Sequence, residues 1–204
     1  ERTLPQIMAR DQLLSIESPL TRPVLQDHWH RHWSRALAAG LSDTADNGFA
    51  QALRQYRNAV MLAIMARDLG GLSDLHENLQ SISELAEICL DLGYQHCCKA
   101  MVSRHGVARR TTGEAVDLLI MGMGKLGGGE LNASSDIDLI YLLPDEGQSD
   151  GRPDDHPDGP GGALDLQTYF TRLGRRLAGL LGESTADGLV FRVDLRLRPH
   201  GDSG

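Results

Sequence analysis

The spacing of apolar residues separates a helical part of the chain from a later part with strands. Up to about residue 103, apolar residues recur every three or four positions, as they do on one face of a helix. Pro19, Pro23 and the pair Gly70 and Gly71 separate the helical stretches. The pattern predicts helices over residues 4–15, 23–39 and 49–69, and a fourth that extends from a capping box at Ser81 and Glu84 to about residue 103.

Strand patterns occur only after that point. Residues 116–121, 137–143 and 189–197 have the length or the two-residue alternation of strands, and residues 164–181 have the period of an amphipathic helix. We therefore predict an α+β fold, in which a helical region over residues 1–108 precedes a core with a small mixed sheet over residues 109–204. Residues 144–162 are rich in Asp, Gly and Pro and are predicted to form a mobile loop.

A glycine-rich segment, Gly122-Met-Gly-Lys-Leu-Gly-Gly-Gly-Glu130, follows the first predicted strand. Glycines let the backbone turn tightly and approach a ligand, and the N–H groups of such a loop can hold phosphate oxygens. Asp136 and Asp138 lie two residues apart at the head of the second strand, so their carboxylates share one face. The combination predicts a Mg²⁺–nucleotide site. The predicted phosphate-binding residues are Gly124 and Lys125 in the glycine-rich segment and Ser135 directly before Asp136.

A third carboxylate, Asp194, lies on the last predicted strand. The two-residue alternation places it on one strand face with three arginines, Arg192, Arg196 and Arg198. Arginine forms bidentate hydrogen bonds with phosphate, so this face suits an anionic ligand. We predict that Asp136, Asp138 and Asp194 are both the catalytic residues and the metal ligands, and that the arginines bind phosphate.

Charge and composition exclude several other classes of function. The net charge of −8, with no basic run, argues against nonspecific binding to nucleic acid. Cys89, Cys97 and Cys98 lack metal-ligand spacing and fall in a helical pattern, which indicates reduced thiols in the cytoplasm. The sequence shows neither a signal peptide nor a long apolar stretch, so it does not predict an association with a membrane. Since the chain starts at Glu1 and stops at Gly204, we expect it to be a piece of a longer protein.

Polar residues within the predicted helices suggest a few alternatives. His28, His30 and His32 raise the possibility of a metal site, because residues four apart meet on one helix face. Trp29 and Trp33 have the same spacing, so we expect the tryptophans to face the core and the histidines to face water. On the next helix, three arginines fall outside the apolar stripe, namely Arg54, Arg57 and Arg67.

Together these motifs resemble a known family. The segment from Gly122 to Ile140 and the segment Arg192-Val-Asp-Leu-Arg-Leu-Arg-Pro-His-Gly-Asp-Ser-Gly204 are similar to the bifunctional glutamine synthetase adenylyltransferase/adenylyl-removing enzymes. The resemblance continues through the helical part, over Leu53-Arg-Gln-Tyr-Arg-Asn58 and Met65-Ala-Arg-Asp-Leu-Gly-Gly71. It implies a nucleotidyltransferase with a polymerase-beta-like sheet, in which a glycine-rich turn and three aspartates form the Mg²⁺ site.

The resemblance also implies a reaction and partners. The family has two such catalytic domains, and Asn132, the Arg192-Val-Asp order and Gly201-Asp-Ser-Gly204 resemble the amino-terminal, adenylyl-removing one. That domain phosphorolyses adenylyl-tyrosine on glutamine synthetase, which yields ADP and unmodified enzyme and so regulates nitrogen assimilation. The implied ligands and partners are ADP or ATP, inorganic phosphate, glutamine synthetase and the PII signal protein.

Two other functions remain open at this point. The same carboxylates could serve transfer of AMP from ATP to the tyrosine, in which case Asp194 is the natural base for the tyrosine hydroxyl. Alternatively, the chain could be a non-catalytic module that binds glutamine synthetase or PII. Arg54 and Arg57 are either a solvated helix face or contacts to the active site or to a partner.

Overall fold

The computed structural model describes residues 17–41, 46–143, 146–152 and 162–195. Three long helices come first: α1 (Arg22–Ala38), α2 (Asp46–Leu69) and α3 (Leu75–His105). They confirm the helices predicted over residues 23–39 and 49–69. The helix predicted over residues 4–15 lies outside the described residues.

The three helices pack through apolar stripes. Along α2, Leu53, Tyr56, Val60 and Ile64 recur at helical spacing, and all four are buried. The hydroxyl of Tyr56 donates a hydrogen bond to the carbonyl of Leu25 on α1, 2.9 Å away. Because this bond satisfies the buried hydroxyl, the tyrosine can fill the α1–α2 interface without an unpaired polar atom.

The prediction that the α1 histidines face water is wrong for two of them. His28 and His32 are 4% and 6% exposed, whereas His30 is exposed. Helix α1 contacts both α2 and α3, so it buries a wider face than the one that carries Trp29 and Trp33. Burial lowers the pKa of His28 to about 4 and also lowers the pKa of His32. The Nε2 atom of His32 is hydrogen-bonded to the carbonyl oxygen of Ala52 at 3.0 Å.

The predicted start of the fourth helix is also wrong. Helix α3 begins at Leu75, where the carboxylate of Asp74 accepts a hydrogen bond from the backbone N–H of Glu77 at 2.8 Å. Ser81 is buried inside the helix, and its hydroxyl donates to the carbonyl of Leu20 at 3.3 Å. The Ser81 hydroxyl is therefore used in a tertiary contact, which the local capping pattern does not reveal.

Two of the α2 arginines are buried rather than solvated. Arg54 and Arg67 are each 3% exposed. Arg67 donates to the carboxylate of Glu77 at 2.7 Å and to the carbonyl of Leu72 at 2.9 Å, which ties α2 to the start of α3. Arg54 reaches in the other direction and contacts the chain ahead of the last strand.

After α3, the described residues form five strands and two further helices. In chain order they are β1 (Ala108–Arg110), β2 (Leu119–Met123), α4 (Gly124–Gly127), β3 (Ile137–Leu142), β4 (Gly147–Ser149), α5 (Leu166–Gly182) and β5 (Val193–Asp194). Strands β2, β3 and β5 form a sheet in that order, with β2 antiparallel and β5 parallel to β3. The mixture of helices and a small mixed sheet confirms the α+β prediction. Strand β2 is shifted toward the glycine turn, and of the described residues in the strand predicted over residues 189–197, only residues 193–194 form a strand. The polymerase-beta-like arrangement and the division after residue 108 stay predictions.

A small two-stranded sheet corrects the prediction of a loop over residues 144–162. Strand β4 pairs antiparallel with β1, with Ala108 opposite Ser149. Ser149 is buried, and its hydroxyl accepts a hydrogen bond from the N–H of Leu164 at 3.0 Å. Backbone pairing needs no apolar side chains, so a polar composition did not exclude a strand here. Residues 144–145 and 153–161 lie outside the described part of the chain.

Helix α5 packs against α3, against both strands of the two-stranded sheet and against β5. Asp165 caps it by accepting a hydrogen bond from the N–H of Thr168 at 2.8 Å, and Leu166, Phe170, Leu173 and Leu177, which recur at helical spacing, are buried. The buried side chains of the sheet and of the helices form one apolar core. Among the described residues, no helix combines the length and the apolar character needed to cross a membrane.

Candidate active site

The glycine-rich segment turns from the end of β2 directly into the one-turn helix α4. Gly124 has a φ of +54°, in the left-handed region that glycine adopts most readily. A Cβ atom at this position would lie 2.8 Å from Oδ2 of Asp138. Glycine therefore allows the backbone of the turn to lie directly against the second aspartate of the pair.

Asp138 and Asp194 are paired neighbours on the parallel strands β3 and β5. Neighbouring strands lie about 4.8 Å apart, and paired side chains project from the same face. The preceding pair, Ile137 and Val193, projects from the other face, where Ile137 is fully buried. The two carboxylates thus share the face away from the core, and Asp136, two residues before Asp138, is expected on the same side.

Arg192 connects the start of β3 to the residues before β5. Its Nε atom donates a hydrogen bond to the carboxylate of Asp136 at 2.5 Å, and its Nη2 atom donates to the carbonyl of Ser134 at 2.5 Å. Its own carbonyl accepts from the N–H of Ile137 at 2.8 Å. The side chains of Arg192 and Asp136 are 59% and 45% exposed, so their ion pair contributes at most about 1 kcal/mol to stability.

A polar turn between α4 and β3 contains the other predicted phosphate-binding side chains. The side-chain oxygen of Asn132 accepts hydrogen bonds from the hydroxyl of Ser135 at 2.8 Å and from the N–H of Ser134 at 3.2 Å. The ammonium group of Lys125 donates to the same Ser135 hydroxyl at 3.4 Å. The structure therefore brings Gly124, Lys125 and Ser135 together beside the aspartates, and Asn132 organises the turn.

The donor set of this site is chemically suited to Mg²⁺, which prefers carboxylate oxygens. Within the described ranges, however, no three side chains of His, Cys, Asp or Glu are grouped closely enough to hold a metal ion. The carboxylate of Asp136 is paired with Arg192 instead. That ion pair uses one carboxylate oxygen of Asp136, Oδ1, and the predicted set of three aspartate ligands stays a prediction. Arg196 and Arg198 lie outside the described residues.

One group of contacts near the site was predicted only in part, because the sequence leaves open whether Arg54 and Arg57 form a solvated helix face or contact the active site or a partner. Side chains on α2 contact the chain between α5 and β5, for example through a hydrogen bond from Asn58 to the carbonyl of Asp187 at 2.9 Å. The available signal was the run of polar residues between the apolar positions of α2. That signal indicates a polar contact but does not identify its partner.

Comparisons with known proteins show which family the chain belongs to. Residues 3–204 match the family model of glutamate-ammonia ligase adenylyltransferase. Three bifunctional glutamine synthetase adenylyltransferase/adenylyl-removing enzymes illustrate the similarity. That of Burkholderia pseudomallei is 41% identical over 187 residues, which are 92% of this chain and 19% of that protein.

The other two relatives are similar to shorter parts of the chain. The Stenotrophomonas maltophilia protein is 47% identical over 74% of this chain and 15% of its own length. The Nitrosomonas europaea protein is 43% identical over 81% of this chain and 17% of its own length. The chain spans about a fifth of the length of the first relatives it matches.

Proposed function

Because the chain belongs to the glutamate-ammonia ligase adenylyltransferase family, we propose that it is the adenylyl-removing domain of a bifunctional enzyme that regulates glutamine synthetase. The proposed reaction is phosphorolysis of adenylyl-tyrosine on glutamine synthetase. Removal rather than transfer is favoured by Asn132, by Arg192 ahead of Val-Asp, and by Gly201-Asp-Ser-Gly204, which resemble the amino-terminal domain of the family.

The register between β3 and β5 is the observation that carries this proposal. It pairs Asp138 with Asp194, two residues that are far apart in sequence. Like charges on neighbouring strands are unfavourable by themselves, and they become favourable when a cation binds between them. Gly124 lies against Asp138, and Arg192 lies at Asp136, so groups suited to phosphate surround the carboxylates.

The proposed reaction depends more on the alignment of the two phosphate groups than on base catalysis. An oxygen of hydrogen phosphate attacks the phosphorus of the tyrosine-bound AMP, the bond from phosphorus to the tyrosine oxygen breaks, and the proton of the phosphate passes to that oxygen. The products are ADP and glutamine synthetase with an unmodified tyrosine side chain. Hydrogen phosphate is already anionic near neutral pH, so the residues need mainly to orient it and neutralise its charge.

The chain offers residues for both tasks. Arg192 and Lys125 are the described cations that lie beside the aspartates, at Asp136 and at Ser135 respectively. The proposed ligands of Mg²⁺ are the three aspartates, Asp136, Asp138 and Asp194. When bound, Mg²⁺ would neutralise charge on the phosphate groups. We further propose a PII signal protein as regulatory partner and the cytoplasm as location, both from the family resemblance and the composition.

The direct test is phosphate-dependent release of ADP from adenylylated glutamine synthetase in the presence of Mg²⁺. The chain is compared with its Asp138→Asn variant and with Asp117→Asn, which changes an exposed aspartate away from the strand pair. We expect the parent and Asp117→Asn to release ADP and Asp138→Asn to release almost none. The same three proteins are also given ATP and unmodified glutamine synthetase.

The second assay separates the alternatives. Transfer of AMP from ATP without phosphate-dependent ADP release would assign the chain to the adenylyltransferase activity, with Asp194 as the base. If neither reaction occurs, with this chain or with the longest natural polypeptide that carries it, the non-catalytic alternative is correct. Binding of glutamine synthetase or of PII would then be the property to measure.

A further inference from the structure

One side of α2 contacts the chain that leads into β5. Gln51, Arg54 and Asn58 recur at intervals of three and four residues, so they lie on one side of the helix. The amide of Gln51 donates to the carboxylate of Asp187 at 3.2 Å, and the amide of Asn58 donates to its carbonyl at 2.9 Å. The guanidinium of Arg54 donates to the carbonyl of Glu183 at 2.9 Å.

A fourth side chain of α2 contacts the end of the same segment. The guanidinium carbon of Arg57 lies 5.5 Å from the centre of the Phe191 ring, a cation–π contact. Phe191 is 4% exposed, and its N–H donates to the carbonyl of Leu181 at 3.1 Å. Residues 183–191 are therefore held at both ends. We refer to Gln51, Arg54, Arg57 and Asn58 as the α2 clamp.

The clamped segment leads without a further loop into the candidate active site. Phe191 is followed by Arg192, which binds the carboxylate of Asp136, and then by β5 with Asp194. In extended chain each residue advances only about 3.3 Å, so there is little slack between Phe191 and Asp194. A displacement of the segment would shift Arg192 and Asp194 relative to the aspartates of β3.

The energetics of the clamp argue against stability as its only role. Arg54 is 3% exposed, and the Nε atoms of Arg54 and Arg57 are buried without a hydrogen-bond partner among the described residues. Burying a cation and leaving a donor unpaired both cost free energy. What the arginines add is a directed contact to a particular carbonyl and to a particular ring.

We propose that the α2 clamp consists of positioning residues for the site. It holds residues 183–191 so that Arg192 and Asp194 meet the carboxylates of β3, and it thereby makes the metal and phosphate affinity of the site depend on α2. The effect on activity rests on the proposed function. The effect on the position of β5 does not.

The test uses the double variant Gln51→Ala with Asn58→Ala in the whole chain. Both residues are exposed, and alanine favours helix, so the fold should be retained. The matched control is Gln55→Ala, which removes an amide from the same helix at a position with no hydrogen bond to the described residues. Three quantities are measured for each protein: amide hydrogen exchange of peptides covering residues 189–195, the affinity for Mn²⁺ as a Mg²⁺ substitute, and kcat and KM for phosphorolysis.

For the double variant we expect exchange over residues 189–195 to be about 10-fold faster, with residues 119–123 of β2, which do not pair with β5, unchanged. Loss of residues that orient metal ligands typically reduces metal affinity or activity by about 10-fold or more, and we expect that loss in Mn²⁺ affinity and in kcat. Gln55→Ala should match the parent. In a second pair, Arg54→Lys should retain more Mn²⁺ affinity than Arg54→Met, because lysine can still donate to the Glu183 carbonyl.

The proposal is overturned if the double variant and Gln55→Ala give the same exchange over residues 189–195. It is also overturned if exchange rises while Mn²⁺ affinity and kcat stay at parental values, because the clamp would then hold the segment without positioning the site. A failure of the proposed function looks different, since the parent chain would itself show no turnover. In that case the exchange comparison alone decides whether α2 positions β5.

Discussion

Polar side chains occupy two contrasting environments in the helices and at the sheet. In the helices, His32 and Arg67 are almost completely buried, and each is hydrogen-bonded to a backbone carbonyl. At the sheet, Asp138 and Asp194 are only partly buried and lie on the face away from the core. The first group is enclosed by the fold, whereas the second remains open to a ligand.

This difference in burial distinguishes polar residues that stabilise the fold from polar residues that are available to bind a ligand. A buried polar group whose hydrogen-bond partners all lie within the chain contributes to the fold and has no hydrogen-bonding capacity left for a ligand. Two aspartates paired across β3 and β5 repel each other, and a cation bound between them would relieve that repulsion. Substitutions in the helices should therefore change stability, and substitutions at the aspartates should change activity.

The largest effect is expected for Asp138→Asn. The substitution keeps the shape of the side chain and removes one charge of the pair, so the free energy of unfolding should stay within about 1 kcal/mol of the parent. Phosphate-dependent ADP release should fall at least about 100-fold, because an electrostatic stabiliser of the reacting phosphate is lost. Urea unfolding and the ADP assay check the two parts, with Asp117→Asn as control. A near-parental rate would show that this aspartate is not in the catalytic centre.

The opposite effect is expected for Arg67→Met in the helices. This substitution leaves the Glu77 carboxylate without its buried partner and the Leu72 carbonyl without a donor, and should cost about 3 kcal/mol of unfolding free energy. The matched control is Arg31→Met, since Arg31 pairs with Asp27 at a site where both side chains are more than half exposed. That control should cost less than about 1 kcal/mol. Equal costs for the two variants would contradict the assignment of Arg67 to the fold.

A pair of glycine variants tests how closely the turn contacts the site. Gly124 and Gly129 both have left-handed φ values, +54° and +69°, so alanine should cost each about 1 kcal/mol. A methyl group at Gly124 would meet the Asp138 carboxylate, whereas none of the described atoms lies within 4 Å of the corresponding position at Gly129. We therefore expect Gly124→Ala to lower the ADP-release rate by about 10-fold or more, and Gly129→Ala to leave it close to the parent. Similar rates for both variants would show that the contact with Asp138 is unimportant.

Much of the sheet and of the candidate site could be predicted because short-range patterns determine them. Two-residue alternation distinguishes Ile137 and Leu139, which are buried, from Asp138 between them. The same alternation brought Asp194 into the predicted site. The direct pairing of Asp138 with Asp194 depends on strand register, which the alternation constrains only to within two residues.

The features that were missed depend on long-range contacts. His28 and His32 have a helical spacing that fits either a solvated or a buried face, and only the packing of α1 against two helices decides between them. Ser81 resembled a cap, but its hydroxyl bonds to the carbonyl of Leu20, far away in sequence. The two-stranded sheet of β1 and β4 is held by backbone pairing between short segments far apart in sequence, for which side-chain patterns give no signal.

The smallest predicted effect concerns pH and again separates the helices from the sheet. Burial lowers the pKa of His28 to about 4 and lowers that of His32, while an unfolded chain titrates near the ordinary value of 6.5. Between these values the unfolded chain binds more protons than the folded one, so stability falls as the pH falls from about 6.5 toward 4. Above about pH 6.5 both states are neutral at these residues, and the contribution is complete.

For His28 we expect a loss of about 1–2 kcal/mol across this window, allowing for partial screening by solvent. Urea unfolding at about pH 7 and about pH 5 measures most of it, above the range in which carboxylates titrate. His28→Leu should reduce the pH dependence, because the ring that must lose its proton on burial is gone. His30→Gln should leave the dependence unchanged, since His30 is exposed on the same helix. If His28→Leu lost as much stability between about pH 7 and about pH 5 as the parent, the burial of a neutral His28 would not be the cause of the loss. Other titrating groups would then cause the pH dependence.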